Sequence, residues 1–168
     1  MNKQNKMTIW ILAILGVIFL IAADQITKYM AVLSLKEQPS IPIIQGVFEL
    51  LYVENRGAAF GILQNRQWMF VILTLVILAF IGWIFYKLPF TVRYLPLRLV
   101  AVGLTAGAVG NMIDRVRLGY VVDFFYFKLI DFPVFNVADI YVVVTIIVLA
   151  FLILFYYKED ELEQILKR

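Results

Sequence analysis

Trp68-Met69-Phe70-Val71-Ile72-Leu73-Thr74-Leu75-Val76-Ile77-Leu78-Ala79-Phe80-Ile81-Gly82-Trp83-Ile84-Phe85-Tyr86 runs nineteen residues without a charged side chain. A bilayer core about 30 Å thick needs ~20 such residues in helical form, so this stretch reads as a transmembrane helix. Working outward, three more stretches qualify. The first spans about residues 8–30, starts from the uncharged run Met7–Ala23, and continues past Asp24 and Lys28. The third spans about 97–113 and is the weakest by hydropathy, with Arg98 near one end and Asn111 near the other. Its Gly103, Gly107, Ala108 and Gly110 suit close helix packing. The fourth spans about 135–157 and carries Asp139 in its first turns.

Composition agrees with the spans. Of 168 residues, 63% are hydrophobic and 16% charged, well above the apolar share of soluble domains. No Ser/Gly/Pro-rich linker, charge block or repeat divides the chain, so residues 1–168 read as a single membrane domain. The net charge of +3 is scattered among apolar stretches and forms no polybasic groove, so no nucleic acid is expected as a partner. The first stretch has a second reading as a cleaved signal peptide, since Lys3 and Lys6 precede it and Ala22-Ala23 end the run. Its apolar core is longer than the roughly 7–15 residues of such segments, and Ile21 stands where a small residue is required.

An even number of spans puts both tails on one side. With the tails inside, eight Lys and Arg fall inside and seven outside, a thin margin in favour of cytoplasmic N- and C-termini. On that topology the extracytoplasmic segments are about 34–66 and 116–133. The stretch Ile43 to Val53 is rich in strand formers punctuated by Pro42 and Gly46, and predicts a small sheet lying on the membrane.

Polar residues collect at this outer rim: Asp24, Asn55, Arg56, Asn111, Asp114, Arg115, Asp123, Asn136 and Asp139. A charge at bilayer depth costs about 2.5–3.5 kcal/mol even on insertion scales, so such residues normally face a bundle interior and carry function. Lys28, Arg117 and Lys128 have the alternative of snorkelling to the interface. Asp114-Arg115 has the alternative of a structural ion pair locking helix three. Aspartate is too short to snorkel far, which leaves Asp24, Asp114 and Asp139 needing a reason.

The chain has no cysteine and no histidine, and its only serines are Ser34 and Ser40. Thiol nucleophiles, His-ligated zinc and a Gly-x-Ser-x-Gly elbow are excluded, which leaves carboxylate chemistry without a metal or cofactor. Two carboxyls close together in a low-dielectric site share one proton, so that one activates water while the other polarises a carbonyl. Val121-Val122-Asp123-Phe124 and Phe135-Asn136-Val137-Ala138-Asp139 both place an acid among apolar residues, although spacing alone does not bring them together. A proton- or ion-coupled small transporter is the chief rival, but helices two and four are almost purely apolar through their middles. A noncatalytic lipid-binding or assembly subunit would leave paired acids unexplained.

Five ordered blocks resemble lipoprotein signal peptidase, the type II signal peptidase of bacteria: Asp24-Gln25-Ile26-Thr27-Lys28, Asn55-Arg56-Gly57-Ala58-Ala59-Phe60, Gly107 to Arg115, Val121 to Phe124, and Phe135 to Asp139. The resemblance covers about residues 8–157. It implies a catalytic dyad at Asp123 and Asp139, substrate-binding positions at Asn55, Gly57, Asn111, Arg115, Asn136 and Ala138, and support of the site by Asp24, Lys28 and Asp114. It further implies a diacylglyceryl-modified prolipoprotein as substrate, cut before the lipidated cysteine, by a monomer among the lipids of the cytoplasmic membrane with its site at the extracytoplasmic face. The fold class it implies is an all-α integral membrane protein: four transmembrane helices, an extracytoplasmic β-sheet or cradle, and a short extracytoplasmic helix in 116–133. The tail after Lys158 lies outside the match and reads as a solvated or interfacial helix.

Overall fold

A computed structural model describes residues 3–57 and 66–167. Among the described residues, five α-helices and three strands follow one another as α1 (Lys3–Leu35), β1 (Ile41–Ile44), β2 (Phe48–Asn55), α2 (Gln67–Lys87), α3 (Leu95–Leu118), β3 (Val121–Tyr126), α4 (Val137–Phe151) and α5 (Glu159–Lys167). Four of the helical runs are long and apolar enough to cross a membrane: α1, α2, α3 with the 3-10 turn before it, and α4 with the π-turn Leu152–Tyr156 after it. The expected fold class, four membrane helices with a small sheet, is the observed one.

α3 explains its own weak hydropathy. It packs against α1, α2 and α4, and buries Leu97, Val100, Ala106, Gly107, Gly110 and Asp114, so little of it faces lipid. An inner helix can therefore carry polar and small residues. Lipid is as apolar as a leucine side chain, so helices in a membrane associate by close packing and hydrogen bonding, not by hydrophobic burial. The Gly103 and Gly107 positions face Thr145 and Val142 of α4. At Gly110 a β-carbon would lie 2.6 Å from Asp24 Oδ2 of α1, so only glycine lets the three helices converge there. α2 and α4, by contrast, turn Ile72, Val76, Phe80, Val143 and Ile147 outward, as helices bathed in lipid do.

α1 runs 33 residues, about 50 Å at 1.5 Å per residue, so its end projects beyond a 30 Å hydrocarbon core. Ala31 and Leu35 of that projection pack on Val122 and Phe124 of β3. The sheet is antiparallel in the order β1-β2-β3, with Val53 opposite Asp123 and Asn55 opposite Val121. It extends beyond the expected 34–66, because its third strand comes from the later loop. Val121, Val122, Phe124, Phe125 and Tyr126 are strand formers, yet in the sequence they stand out only as apolar flanks of an acid. The short helix expected in 116–133 is the single 3-10 turn Lys128–Ile130, stopped by Asp131 in the left-handed region (φ 47°) and by Pro133.

At the opposite end Leu88, Tyr94, Leu97, Val100, Leu152, Tyr157 and Ile165 form one cluster. Ile165 belongs to α5, so the tail is docked and not simply solvated. Arg93 Nε donates to Glu161 Oε1 at 2.9 Å, and the Tyr94 and Tyr157 rings stack at 5.5 Å.

Candidate active site

Sixteen residues separate Asp123 from Asp139, and backbone pairing closes that gap. Phe135 N–H donates to Phe125 O at 3.0 Å, and Phe125 N–H returns to Phe135 O at 2.8 Å. The chain between them loops out and comes back beside β3, with Phe127 and Phe132 against Phe135 at ring separations of 5.8 and 5.9 Å. The next residue, Asn136, therefore starts α4 next to the strand that carries Asp123.

Asn136 is fully buried and works at both acids. As the N-cap of α4 its Oδ1 accepts from Asp139 N–H at 3.0 Å while its own N–H donates to Asp139 Oδ2 at 3.0 Å, a reciprocal capping box. Its Nδ2 donates to Asp123 Oδ1 at 2.6 Å and to Asn111 Oδ1 at 3.0 Å. Asp123 Oδ2 accepts from Asn55 Nδ2 at 2.9 Å, and Asp139 Oδ1 from Asn111 Nδ2 at 2.7 Å. Each carboxyl is thus held by two N–H donors. Burial pushes the Asp123 carboxyl up to about 7, the neighbouring charge of Asp139 adds to this, and the Asn55 and Asn136 donors oppose it.

Behind the pair lies an ionic triad. Lys28 Nζ contacts Asp24 Oδ2 and Asp114 Oδ2 at 3.0 Å each, and donates to Asn111 Oδ1 at 2.9 Å, which engages all three ammonium protons. Lys28 is 3% exposed, so the snorkelling reading is overturned: acids one helical turn away and on α3 hold it inside. The Asp114-Arg115 pair is likewise replaced, because Asp114 points to Lys28 and also accepts from Val122 N–H at 3.1 Å. Asp24 Oδ1 accepts from Ala138 N–H at 2.9 Å, tying α1 to the start of α4.

A groove of about 1040 Å³ opens beside the pair, lined by Asn55, Gly57, Arg115, Asp123 and Asp139 with apolar walls that include Phe132, Val143 and Val144. A smaller cavity of about 290 Å³ between α2, α3 and α4 reaches Asn111, Arg115 and Asp139 from the membrane side. Arg115 borders both. Its guanidinium lies 5.0 Å from the centre of the Phe70 ring, it donates to Asn111 O at 3.3 Å, and its Nε has no hydrogen-bond partner among the described residues.

The structure brings every expected site residue into this region, two of them below the surface of the groove. Asn136 and Ala138, read as facing substrate, are wholly buried, and their polar groups are taken up by Asp123, Asp139, Asn111 and Asp24; neither lines the groove. Of the block Asn55 to Phe60, residues from Ala58 onward lie outside the described residues. One participant was missed: Gln25 Nε2 lies 3.0 Å from Asp114 Oδ1, 3.1 Å from Asp24 Oδ2 and 3.2 Å from Gly110 O, knitting α1 to α3. It sits between Asp24 and Lys28 in the first block, where an uncharged amide gives no signal of its own.

Four apolar spans with carboxyls gathered at one end define the class of multi-pass membrane proteins with an acidic site at one rim. A family model described as Signal peptidase (SPase) II matches residues 16–155, and the chain belongs to the signal peptidase II family. The lipoprotein signal peptidase of Clostridioides difficile (strain 630) is 48% identical over 145 residues, covering 86% of this chain and 96% of that one. The lipoprotein signal peptidase of Caldanaerobacter subterraneus subsp. tengcongensis is also 48% identical, covering 86% and 97%. A solved structure described as a bacterial membrane enzyme, determined by the in meso method at 1.9 Å resolution, superposes with a TM-score of 0.74 at 33% identity, covering 87% of this chain and 94% of that one. The protein is accordingly a bacterial multi-pass membrane protease, an aspartic endopeptidase that removes signal peptides from prolipoproteins.

Proposed function

We propose that Asp123 and Asp139 are the catalytic dyad, that the substrate is a diacylglyceryl-modified prolipoprotein cut just before its lipidated cysteine, and that the site faces away from the cytoplasm with both termini inside. The observation that carries the reading is Asn136, which donates to both carboxyls at once and so fixes them on one groove. The pair holds one proton near neutrality, as the Asp123 value of about 7 indicates. The ionised member takes a proton from a water as its oxygen attacks the scissile carbonyl carbon; the protonated member donates to the carbonyl oxygen. Collapse of the tetrahedral intermediate breaks the C–N bond: one of its hydroxyls returns a proton to the member that first donated, re-forming the carbonyl, and the proton taken from water leaves with the new amine, which restores the singly protonated pair.

The groove suits such a substrate. Asn55, Gly57 and Arg115 offer polar contacts near the acids, with the Arg115 Nε, unpartnered among the described residues, available to a carbonyl, while the apolar walls accept a lipid-bearing chain. Asn111 reaches substrate from the smaller cavity and holds Asp139. Asp24, Lys28, Asp114 and Gln25 support the pair from behind.

The test is turnover of a diacylglyceryl prolipoprotein by purified Asp123→Asn and Asp139→Asn variants whose thermal unfolding matches wild type. Each should lose at least about 10²–10⁴-fold, the range of a general acid or base. Wild-type processing by either folded variant refutes the dyad.

A further inference from the structure

The chain between β3 and α4 presents an apolar edge that neither the fold nor the proposed chemistry uses. Leu129 and Ile130 are each 69% exposed, and Phe127 and Phe132 are 41% and 46% exposed. The two charges of this loop are exposed but each is paired with a neighbouring side chain. Lys128 Nζ pairs with Glu49 Oε1 at 2.7 Å, and Asp131 Oδ1 accepts from Tyr126 Oη at 2.7 Å. The loop lies on the β1–β2 turn, where Leu129 N–H reaches Val47 O at 3.3 Å and Ile43 and Ile44 are also exposed. The result is one contiguous patch of branched aliphatic and aromatic side chains on the sheet, of the kind that soluble surfaces seldom leave bare.

What covers the patch follows from continuity. Ile130 and Phe132 line the same groove as Ile140, Val143 and Val144, which are outward-facing residues of the α4 span. The loop edge is therefore an extension of a surface that already faces lipid, displaced toward the end of the helix. Aromatic rings flanking a span, with exposed aliphatic side chains and a lysine in the same loop, are the composition of an interfacial anchor.

We infer that the loop 127–132 is a wedge seated in the bilayer interface, with Leu129 and Ile130 at the boundary of head groups and acyl chains. The mouth of the groove then opens onto lipid, and its outer wall is a membrane-embedded loop. This goes beyond the peptidase reading and does not depend on which residues perform hydrolysis.

The chain contains no cysteine, so a single Leu129→Cys substitution gives a unique labelling site on a residue that does not line the groove. The full-length variant carries an environment-sensitive fluorophore and is reconstituted in phosphatidylglycerol/phosphatidylethanolamine nanodiscs. Val76→Cys, outward-facing on α2, serves as the hydrocarbon reference and Glu159→Cys, exposed on α5, as the aqueous one. The 129 probe should emit to the blue of the Glu159 probe, be quenched by lipids carrying a shallow spin label, and resist aqueous iodide. Iodide quenching equal to that of the Glu159 probe overturns the inference. A blue-shifted probe that shallow spin-labelled lipids fail to quench also overturns it, since that marks cover by a second copy of the chain. Activity is not read in any arm, so a failure here leaves the dyad proposal standing, and loss of the dyad leaves this measurement unchanged.

Discussion

Replacing Lys28 by methionine tests the ionic triad most sharply. The substitution keeps the length and apolar stem of the side chain and removes the charge that faces Asp24 and Asp114 at 3.0 Å each. At an effective dielectric near 20, each contact carries about 5–6 kcal/mol of Coulomb attraction, offset in the native protein by the desolvation of all three groups. The variant keeps the desolvation of two carboxylates and loses the attraction. The expected loss is ~3–5 kcal/mol, the range for breaking a buried pair by removing one partner. Against a total of about 5–15 kcal/mol, that is a large fraction. Reversible unfolding in mixed micelles with increasing SDS should report it. Lys28→Met combined with Asp114→Asn should recover part of the loss, because the second substitution removes one of the stranded charges. If Lys28→Met unfolds within about 1 kcal/mol of wild type, as an exposed ion pair would allow, the triad is not the internal brace described above.

The raised Asp123 carboxyl makes a pH prediction. Processing should fall as pH rises through about 7, when the pair loses its shared proton. Stability should already fall below that point, as pH rises from the ordinary 3.8 to about 7, because over that range the folded state binds the extra proton and rising pH favours unfolding, an effect absent from Asp123→Asn. Gly110→Ala drives a β-carbon against Asp24 and should cost about 1–3 kcal/mol, whereas Gly82→Ala, with nothing within 4 Å, should be neutral or slightly stabilising in the same unfolding assay. Arg93 and a backbone N–H of Lys158 hold the Glu161 carboxyl down at about 2, so α5 should stay docked on acidification until pH falls well below the ordinary carboxylate range. Arg93→Gln should instead let α5 exchange its amide hydrogens faster, with exchange in α1 to α4 unchanged.

Much of this is legible in the sequence, and for identifiable reasons. Span placement follows from length and apolarity, properties that do not depend on tertiary contacts, and α2 shows it in pure form. The absence of His and Cys narrows the chemistry to carboxylates by composition alone. Juxtaposition is not legible. Asp123 and Asp139 meet because Phe125 pairs with Phe135, a contact between a strand and an irregular segment that leaves no periodic trace. Strand β3 is hidden because a few β-formers around an acid look the same whether they pair with β2 or simply flank the site. The environment of Lys28 is misread because its own helix supplies only one of its two acids; the other lies 86 residues further on. The burial of Asn136 and Ala138 is not legible for a related reason, since the cap and the Asp24 bond that take up their polar groups are visible only once the helices are assembled.

On the proposed dyad, the capping arrangement ties catalysis to the docking of one helix. The residue that caps α4 is the same one that donates to both acids, through its backbone N–H to Asp139 and its side-chain amide to Asp123. A bundle in which α4 had not yet been laid against β3 would lack both of those bonds, and the two carboxyls would lose their common donor.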